Sequence, residues 1–149
     1  MREILFRGKR PNGQWVQGDL TQFRIDEEVI SKIGFHTTRA TLNGLETVTY
    51  TNEVIPETVG QYTGLNIGNE KLFEGDIVEW HEDYDDKWGY SQTAVGRSVV
   101  IWDKENFCWA FETNAEYIQP FNDWNWNSGY IIGNIHDNPE LLKESDNNE

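Results

Sequence analysis

The sequence predicts a mainly β fold of antiparallel hairpins, with an SH3-like small barrel in the C-terminal half and a short C-terminal helix. Short runs rich in Val, Ile, Thr and aromatic residues alternate with turns that contain Gly, Asn or Asp. The stretch 54–80 is the centre of this pattern, because its glycine turns 60–64 and 74–76 lead into the apolar run 77–80. A Gly-Asp turn before a buried strand is typical of small antiparallel barrels.

The first predicted element is a hairpin with strands at 2–7 and 15–19 and a turn between them at 8–13, GKRPNG. Four basic residues form a cluster in and beside this turn: Arg2, Arg7, Lys9 and Arg10. The sequence favours a solvated hairpin tip, since no aromatic platform is interleaved with the charges. The alternative is contact with an acidic partner or with nucleic acid, for which Arg7, Lys9 and Arg10 are the candidates.

The next elements are a strand at 29–35 and a hairpin from 38 to 51 centred on Asn43-Gly44. Asn-Gly favours the type I′ turn, and the flanks are rich in Thr, Leu, Val and Tyr. Pro56 is expected at a strand edge or in the following connection.

Residues 81–90 form an acidic and aromatic loop, HEDYDDKWGY. The spacing of its aspartates suggests calcium, but Lys87 and Trp88 occupy positions where an EF-hand loop needs a ligand and a glycine. A solvated hairpin loop is the favoured interpretation, and a looser carboxylate site is the alternative. Tyr84 and Trp88 are candidate interaction residues because aromatic side chains carry much of the energy of protein interfaces.

No catalytic motif is present, so the sequence predicts a protein that is not an enzyme and has no metal or cofactor. The three histidines are scattered, and neither a nucleophile elbow nor a Gly-rich phosphate loop occurs. Glu79, His81 and Asp83 alternate along one predicted strand face and offer a possible metal site. A polar strand face exposed to solvent is the favoured interpretation of these three residues.

A third hairpin is predicted about the turn 103–106, with strands at 99–102 and 107–111. The two-residue period places Phe107, Trp109 and Phe111 on one face, which is expected to be core rather than a ligand platform. Cys108 then lies in a packed strand and is expected to be inert.

Residues 121–127, FNDWNWN, alternate aromatic with amide and carboxylate side chains. Phe121, Trp124 and Trp126 are therefore candidates for an interface or a stacking surface, and a lid packed on the barrel is an equal alternative. A last strand is predicted from 129 to 136. Asn138 as N-cap and Pro139 at the first helical position then predict the short helix, followed by a disordered tail at 143–149.

Charge and composition limit the partners. Residues 1–70 hold nine acidic and seven basic residues, whereas residues 71–149 hold 17 and five. The acidic second half disfavours nucleic acid and favours a basic protein partner. A single cysteine excludes an internal disulfide, and no apolar run suits a membrane span or signal peptide, so a cytoplasmic protein is expected. No linker separates region 1–53 from region 54–142, which are expected to form one continuous β-unit.

Five segments together resemble the YopX family of phage and prophage proteins. They are REILFRGK at 2–9, GQWVQGDL at 13–20, VIPETVGQYTGL at 54–65, FEGDIVEW at 73–80 and GYIIGNIHDNPELL at 129–142. The resemblance implies a mainly β protein of a phage-associated gene, and it brings no catalytic residues.

The predicted function is a non-enzymatic interaction or assembly module that binds a phage or bacterial protein and forms a homo-oligomer. The alternative is a role related to nucleic acid, either through local contact by the barrel and the basic hairpin or through acidic mimicry of DNA.

Overall fold

The computed structural model describes residues 1–114, 117–121 and 129–143. Eleven strands lie in these ranges: β1 Phe6–Lys9, β2 Trp15–Ile25, β3 Glu28–Thr41, β4 Gly44–Val54, β5 Gly60–Ile67, β6 Glu70–Phe73, β7 Asp76–Asp85, β8 Ser91–Asp103, β9 Cys108–Asn114, β10 Tyr117–Pro120 and β11 Gly129–Asn134. Single turns of 3-10 helix lie at Pro56–Thr58 and at Pro139–Leu142. No described helix is long and apolar enough to cross a membrane.

The strands form two antiparallel sheets, so the predicted mainly β class is confirmed. The first has the order β4-β3-β2-β1-β5-β6 and the second the order β10-β9-β8-β7-β11. The chain divides into two compact units, residues 1–64 and 65–149, and the division falls inside β5. The SH3-like barrel is not confirmed, because the described strands of the second sheet have an open order with β10 and β11 at its edges.

Glycines allow the strands of the first unit to approach closely. A Cβ atom on Gly18 would overlap the carbonyl oxygen of Gly34, and one on Gly8 would lie 2.8 Å from a methyl carbon of Val54. Ile33 and Val54 are almost fully buried beside these positions. The glycines therefore permit the packing of β1 to β4.

The hairpins predicted in the first unit are confirmed, with two shifts. Strand β1 is Phe6–Lys9 rather than 2–7, so Gly8 and Lys9 pair with β2 instead of lying in the turn, and the β3–β4 turn moves by one residue. Thr41 pairs with Gly44, so Leu42 and Asn43 occupy the centre of the β3–β4 turn and the prediction of Asn43-Gly44 at its centre is wrong by one residue. The threonine hydroxyl explains the shift, because it accepts a hydrogen bond from the Asn43 amide (3.3 Å) and donates one to the Gly44 carbonyl (3.1 Å). Only Gly44, with φ of 121°, needs a positive backbone angle there.

A cluster of apolar side chains forms the core of the second unit: Ile67, Leu72, Val78, Val100, Phe111 and Phe121. The rings of Phe111 and Phe121 stack with centroids 4.5 Å apart. Trp109 and Ile131 pack against this cluster. Burial of large apolar side chains such as these supplies most of the driving force for folding.

The β8–β9 hairpin partly corrects the predicted aromatic face. Trp109 and Phe111 both contact the core, as predicted. Phe107 does not, because β9 begins at Cys108, which pairs with Asp103, and leaves Phe107 in the turn with φ of 54° and 78% of its surface exposed.

Asp103 organises this turn. Its carboxylate accepts hydrogen bonds from the backbone amides of Glu105 (3.0 Å) and Asn106 (3.3 Å) and from the Asn106 side-chain amide (2.7 Å). The side-chain bond from Asn106 is the main cause that lowers the pKa of Asp103; the two backbone bonds add to it and burial opposes it.

A tryptophan covers β8 on the second sheet. The indole of Trp80 lies over Gly96, where any Cβ atom would overlap the ring. Its Nε1 donates to the Ser98 hydroxyl (3.1 Å), which also shares a hydrogen bond with the Thr113 hydroxyl (2.9 Å). This network satisfies the buried Ser98 and fixes the position of the ring.

The predicted C-terminal α-helix is wrong. Pro139 does follow Asn138 at the N-cap position, as predicted, but the element is a single 3-10 turn. The backbone of Lys143, directly after it, is already extended. The reason lies in Asn138, whose side chain makes no cap hydrogen bond and instead accepts one from the Asn134 amide (3.3 Å). Gly133 leaves the room for that side chain, since a Cβ atom there would overlap Asn138.

We expect Gly96→Ala to lower the free energy of unfolding by about 2 kcal/mol, because the new methyl group must displace Trp80. Urea unfolding followed by circular dichroism would measure the change. Val95→Thr, on the exposed face of the same strand, is the control and should change it by no more than about 0.5 kcal/mol. Equal stability of Gly96→Ala and the parent protein would contradict the described packing.

We also expect Asp103→Asn to destabilise the protein at neutral pH but not in acid. The lowered pKa means that ionised Asp103 favours the folded state above its ordinary pKa, and this stabilisation is lost as the pH falls through the folded-state pKa. Urea midpoints of the two proteins should therefore keep their difference from about pH 7 to about pH 4 and converge only as the pH falls further, through the lowered pKa. Glu105→Gln, which removes a charge from the same turn, is the control. A difference independent of pH would contradict this role of Asp103.

Candidate functional site

The most prominent exposed feature of the second unit is the end of the β7–β8 hairpin. The last described pair between β7 and β11 is Trp80 opposite Gly129. From His81 onward, the described residues that pair with β7 are those of β8, and this pairing continues without a register shift to Asp85 opposite Ser91. Residues 81–95 thus form a two-stranded ribbon that extends past the last described β7–β11 pair. We call this ribbon the tip hairpin.

Asp86 holds the turn of the tip hairpin in one conformation. Its Oδ1 accepts hydrogen bonds from the backbone amides of Trp88 (2.8 Å) and Tyr90 (3.0 Å). Two backbone bonds close the same turn, from the Asp86 amide to the Tyr90 carbonyl and from the Gly89 amide to the Asp86 carbonyl, each 2.9 Å. Gly89 has φ of 82°, which a residue with a side chain would adopt only with strain.

Three aromatic side chains of the tip hairpin are at least half exposed: Tyr84 at 50%, Trp88 at 74% and Tyr90 at 68%. The ammonium group of Lys87 lies 5.0 Å from the centre of the Trp88 ring, a cation–π contact. The sequence predicts Tyr84 and Trp88 as interaction residues but does not predict Tyr90. Asp86 is the signal that could have indicated Tyr90, because an aspartate that begins a turn hydrogen-bonds nearby backbone amides and so orders the residues that follow it.

The tip hairpin is acidic. Residues 81–95 contain Glu82, Asp83, Asp85 and Asp86 but only one lysine or arginine. Hydroxyl groups of the facing strand donate to two of the carboxylates, from Thr93 to Asp83 (2.6 Å) and from Ser91 to Asp85 (3.1 Å). These bonds orient the carboxylates and leave their negative charge uncompensated.

The predicted Glu79–His81–Asp83 face is a structural ion-pair site. The Glu79 carboxylate lies 3.0 Å from the Arg97 Nε and 3.4 Å from the His81 Nε2, and the Arg97 guanidinium also donates to the Leu141 carbonyl (2.9 Å). Asp83 bonds to Thr93 instead. Within the described ranges, no three His, Cys, Asp or Glu side chains are grouped so as to hold a metal ion.

The basic candidates of the first hairpin make intramolecular contacts and are half-buried. The Arg7 guanidinium lies 5.1 Å from the centre of the Trp15 ring, and Arg10 donates to the Gln14 side chain (2.9 Å). The backbone amide of Lys9 donates to the Thr58 hydroxyl (2.9 Å). Arg7 and Lys9 lie on the same side of β1 by the two-residue alternation of the strand.

Of the remaining aromatic candidates, the structure describes Phe121 and places it away from solvent. Phe121 is buried in the core of the second unit with 8% of its surface exposed, so the prediction of a surface role for it is corrected: its ring stacks on Phe111. Trp124 and Trp126 lie outside the described residues.

A comparison with protein families decides the family of this chain. The sequence model described as YopX protein matches residues 5–143, nearly all of the 149 residues. The chain is a member of the YopX family. A search of the curated proteins and a search of the solved structures each found no match.

The residues on which the YopX resemblance rests have structural tasks in this fold. The Thr58 hydroxyl accepts from the Lys9 amide and donates to the Ile55 carbonyl (2.6 Å). The buried Asp76 carboxylate accepts from the Phe73 amide (2.8 Å). These family segments therefore stabilise the scaffold of this YopX protein. The tip hairpin lies outside them, because it begins at His81, directly after the FEGDIVEW segment.

We expect Asp86→Ala to loosen the turn of the tip hairpin without unfolding the protein. The amides of Trp88 and Tyr90 lose their acceptor, so their hydrogen-exchange protection should fall about tenfold, while global stability changes by less than about 0.5 kcal/mol. Amide exchange measured by NMR would test this. Asp85→Ala, which loses only a hydroxyl donor, is the control. Unchanged protection in Asp86→Ala would contradict the described turn.

Proposed function

We propose that this YopX protein is a non-enzymatic, phage- or prophage-encoded interaction module that binds a basic protein of phage or bacterial origin through its tip hairpin. The observation that carries the proposal is the exposed indole of Trp88 on a turn that Asp86 holds in place.

The geometry of Trp88 suits protein recognition. An exposed tryptophan offers a large apolar area and one N–H donor, and such residues dominate the binding energy of many interfaces. Its turn is already ordered by four hydrogen bonds around Asp86, so binding costs little further conformational entropy. Tyr84 and Tyr90 add two further exposed aromatic rings to the same hairpin.

The charge of the tip hairpin supports a cationic partner. Four carboxylates surround these aromatic rings in the sequence, and the whole second unit holds 18 acidic and five basic residues. Such a field accelerates encounter with a basic surface, and the effect weakens as salt screens it. Contact between tryptophan and lysine or arginine adds cation–π attraction, of the kind that Lys87 already makes within the chain.

The proposal is tested by quantitative affinity capture from a nuclease-treated lysate of a phage-bearing bacterial host, read by mass spectrometry at low and high salt. We expect a basic protein to be retained at low salt and its recovery to fall about tenfold with Trp88→Ala, because the central aromatic contact is lost. Phe107→Ala is the matched control, since Phe107 is equally exposed (78%) at the tip of the neighbouring hairpin.

The proposal predicts equal capture by the parent protein and Phe107→Ala. Equal capture by the parent protein and Trp88→Ala would overturn it. Retention of DNA or RNA without nuclease treatment, lost in Arg7→Ala, Lys9→Ala and Arg10→Ala together, would instead point to the basic hairpin and a role related to nucleic acid.

A further inference from the structure

Strand β4 is one of the two edge strands of the first sheet, and among the described residues its one strand partner is β3. It pairs with β3 from Val54 to Gly44 without a register shift, so eleven consecutive residues present a regular edge. Alternate backbone N–H and C=O groups of such a strand point away from its partner and can pair with another strand.

Part of β4 belongs to a ribbon of only two strands. Strand β2 pairs with β3 as far as Gly34, so within the described part of the chain β3 from Phe35 onward pairs only with β4. Nearly all of the side chains in this ribbon are exposed, including Phe35 and Tyr50, whose rings stack 5.3 Å apart with about half of each surface open to solvent. An isolated two-stranded ribbon is only marginally stable in water, and additional strands stabilise it.

The β4 edge lacks the features that normally prevent pairing. Between Gly44 and Val54 there is no lysine, proline or bulge, and β-branched and aromatic residues form its middle. Its two charged residues are Glu46 and Glu53. The Arg39 guanidinium lies 2.9 Å from the carboxylate of Glu46 and compensates it.

Charge favours a second copy of this chain as the occupant of that edge. Residues 1–64 hold eight acidic and seven basic residues, so two copies of this unit meet with little net repulsion. Residues 65–149 hold 18 acidic and five basic residues and would repel one another. Self-association therefore proceeds most easily through the first unit, and β4 is its open strand edge.

We propose that β4 pairs antiparallel with β4 of a second copy about a two-fold axis at Thr49, which joins the two ribbons into one of four strands. This self-association is a property beyond the capture of a basic partner by the tip hairpin, and it uses a different unit of the chain.

This register matches the side chains of the two strands. Val48 lies opposite Tyr50 of the second copy, on the face that carries the Phe35–Tyr50 stack, so an apolar stripe continues across the axis. Thr49 lies opposite its own copy on the other face.

The test uses charge at the two-fold position. Thr49→Lys and Thr49→Glu each place two like charges opposite each other, so each variant should weaken dimerisation at least about tenfold, equivalent to roughly 1.4 kcal/mol. An equimolar mixture of the two variants should restore the dimer, because opposite charges then meet. Thr38→Lys is the matched control, since Thr38 lies on the same face of the ribbon but on β3.

Sedimentation velocity over a range of concentrations gives the result, and circular dichroism confirms that each variant keeps its β structure. Dimeric parent and Thr38→Lys proteins, weakened single Thr49 variants and a restored mixture would establish the β4 pairing. A monomeric parent protein, a dimer insensitive to Thr49→Lys, or a mixture that stays monomeric would overturn it. Capture of a basic partner by way of Trp88 is measured separately, so the two proposals fail independently.

Discussion

The second unit depends on the buried carboxylate of Asp76. It accepts a hydrogen bond from the Phe73 amide and so closes the turn between β6 and β7 around Gly75, which has φ of 87°. The backbone of Gly75 then donates to the Val100 carbonyl and accepts from the Ile135 amide, each at 2.9 Å. One turn thereby connects β7 to β8 and to the segment after β11. Without the hydrogen bond from the Phe73 amide, the buried Asp76 carboxylate would strongly destabilise the fold.

The end of the chain is joined to the same turn. Ile135 follows β11 and lies beside Gly75, whose carbonyl accepts a hydrogen bond from the Ile135 amide. The Asn134 side chain accepts from the amides of His136 and Asp137, each at 3.0 Å, and keeps the chain close to the sheet. The FEGDIVEW and GYIIGNIHDNPELL segments of the YopX family therefore meet at the turn around Gly75.

The two surfaces proposed for recognition share one feature: each lies where a hairpin is longer than the described strand pairing beside it. The tip hairpin extends past the described pairs of β7 with β11, and the β3–β4 ribbon extends past the pairs of β3 with β2. Both carry large aromatic side chains, such as Trp88 and Tyr50, that are about half exposed or more, and exposed apolar surface of this kind often marks an interaction site. Each unit thus offers its own contact, one acidic and one nearly neutral.

Local patterns were enough to predict the β class and most hairpins, because side-chain alternation and turn residues act over a few neighbouring positions. The family was predicted from the resemblance of five segments. The local patterns failed where a distant or competing contact decided the outcome. The Thr41 hydroxyl shifts the β3–β4 turn by one residue from the predicted Asn43-Gly44. The pairing of Cys108 with Asp103 leaves the Phe107 side chain in solvent. The Asn138 side chain accepts a hydrogen bond from the Asn134 amide instead of capping a helix.

The candidate site was predictable only in part, for the same reason. In the sequence, an aromatic residue near acidic residues looks the same whether its side chain is exposed, as that of Trp88 is, or buried, as that of Phe121 is. The sequence by itself determined the mainly β class, the YopX family and the acidic charge of the second half. Only the tertiary structure decided which strands end a sheet and which aromatic rings reach solvent, because both depend on pairing between residues far apart in the chain.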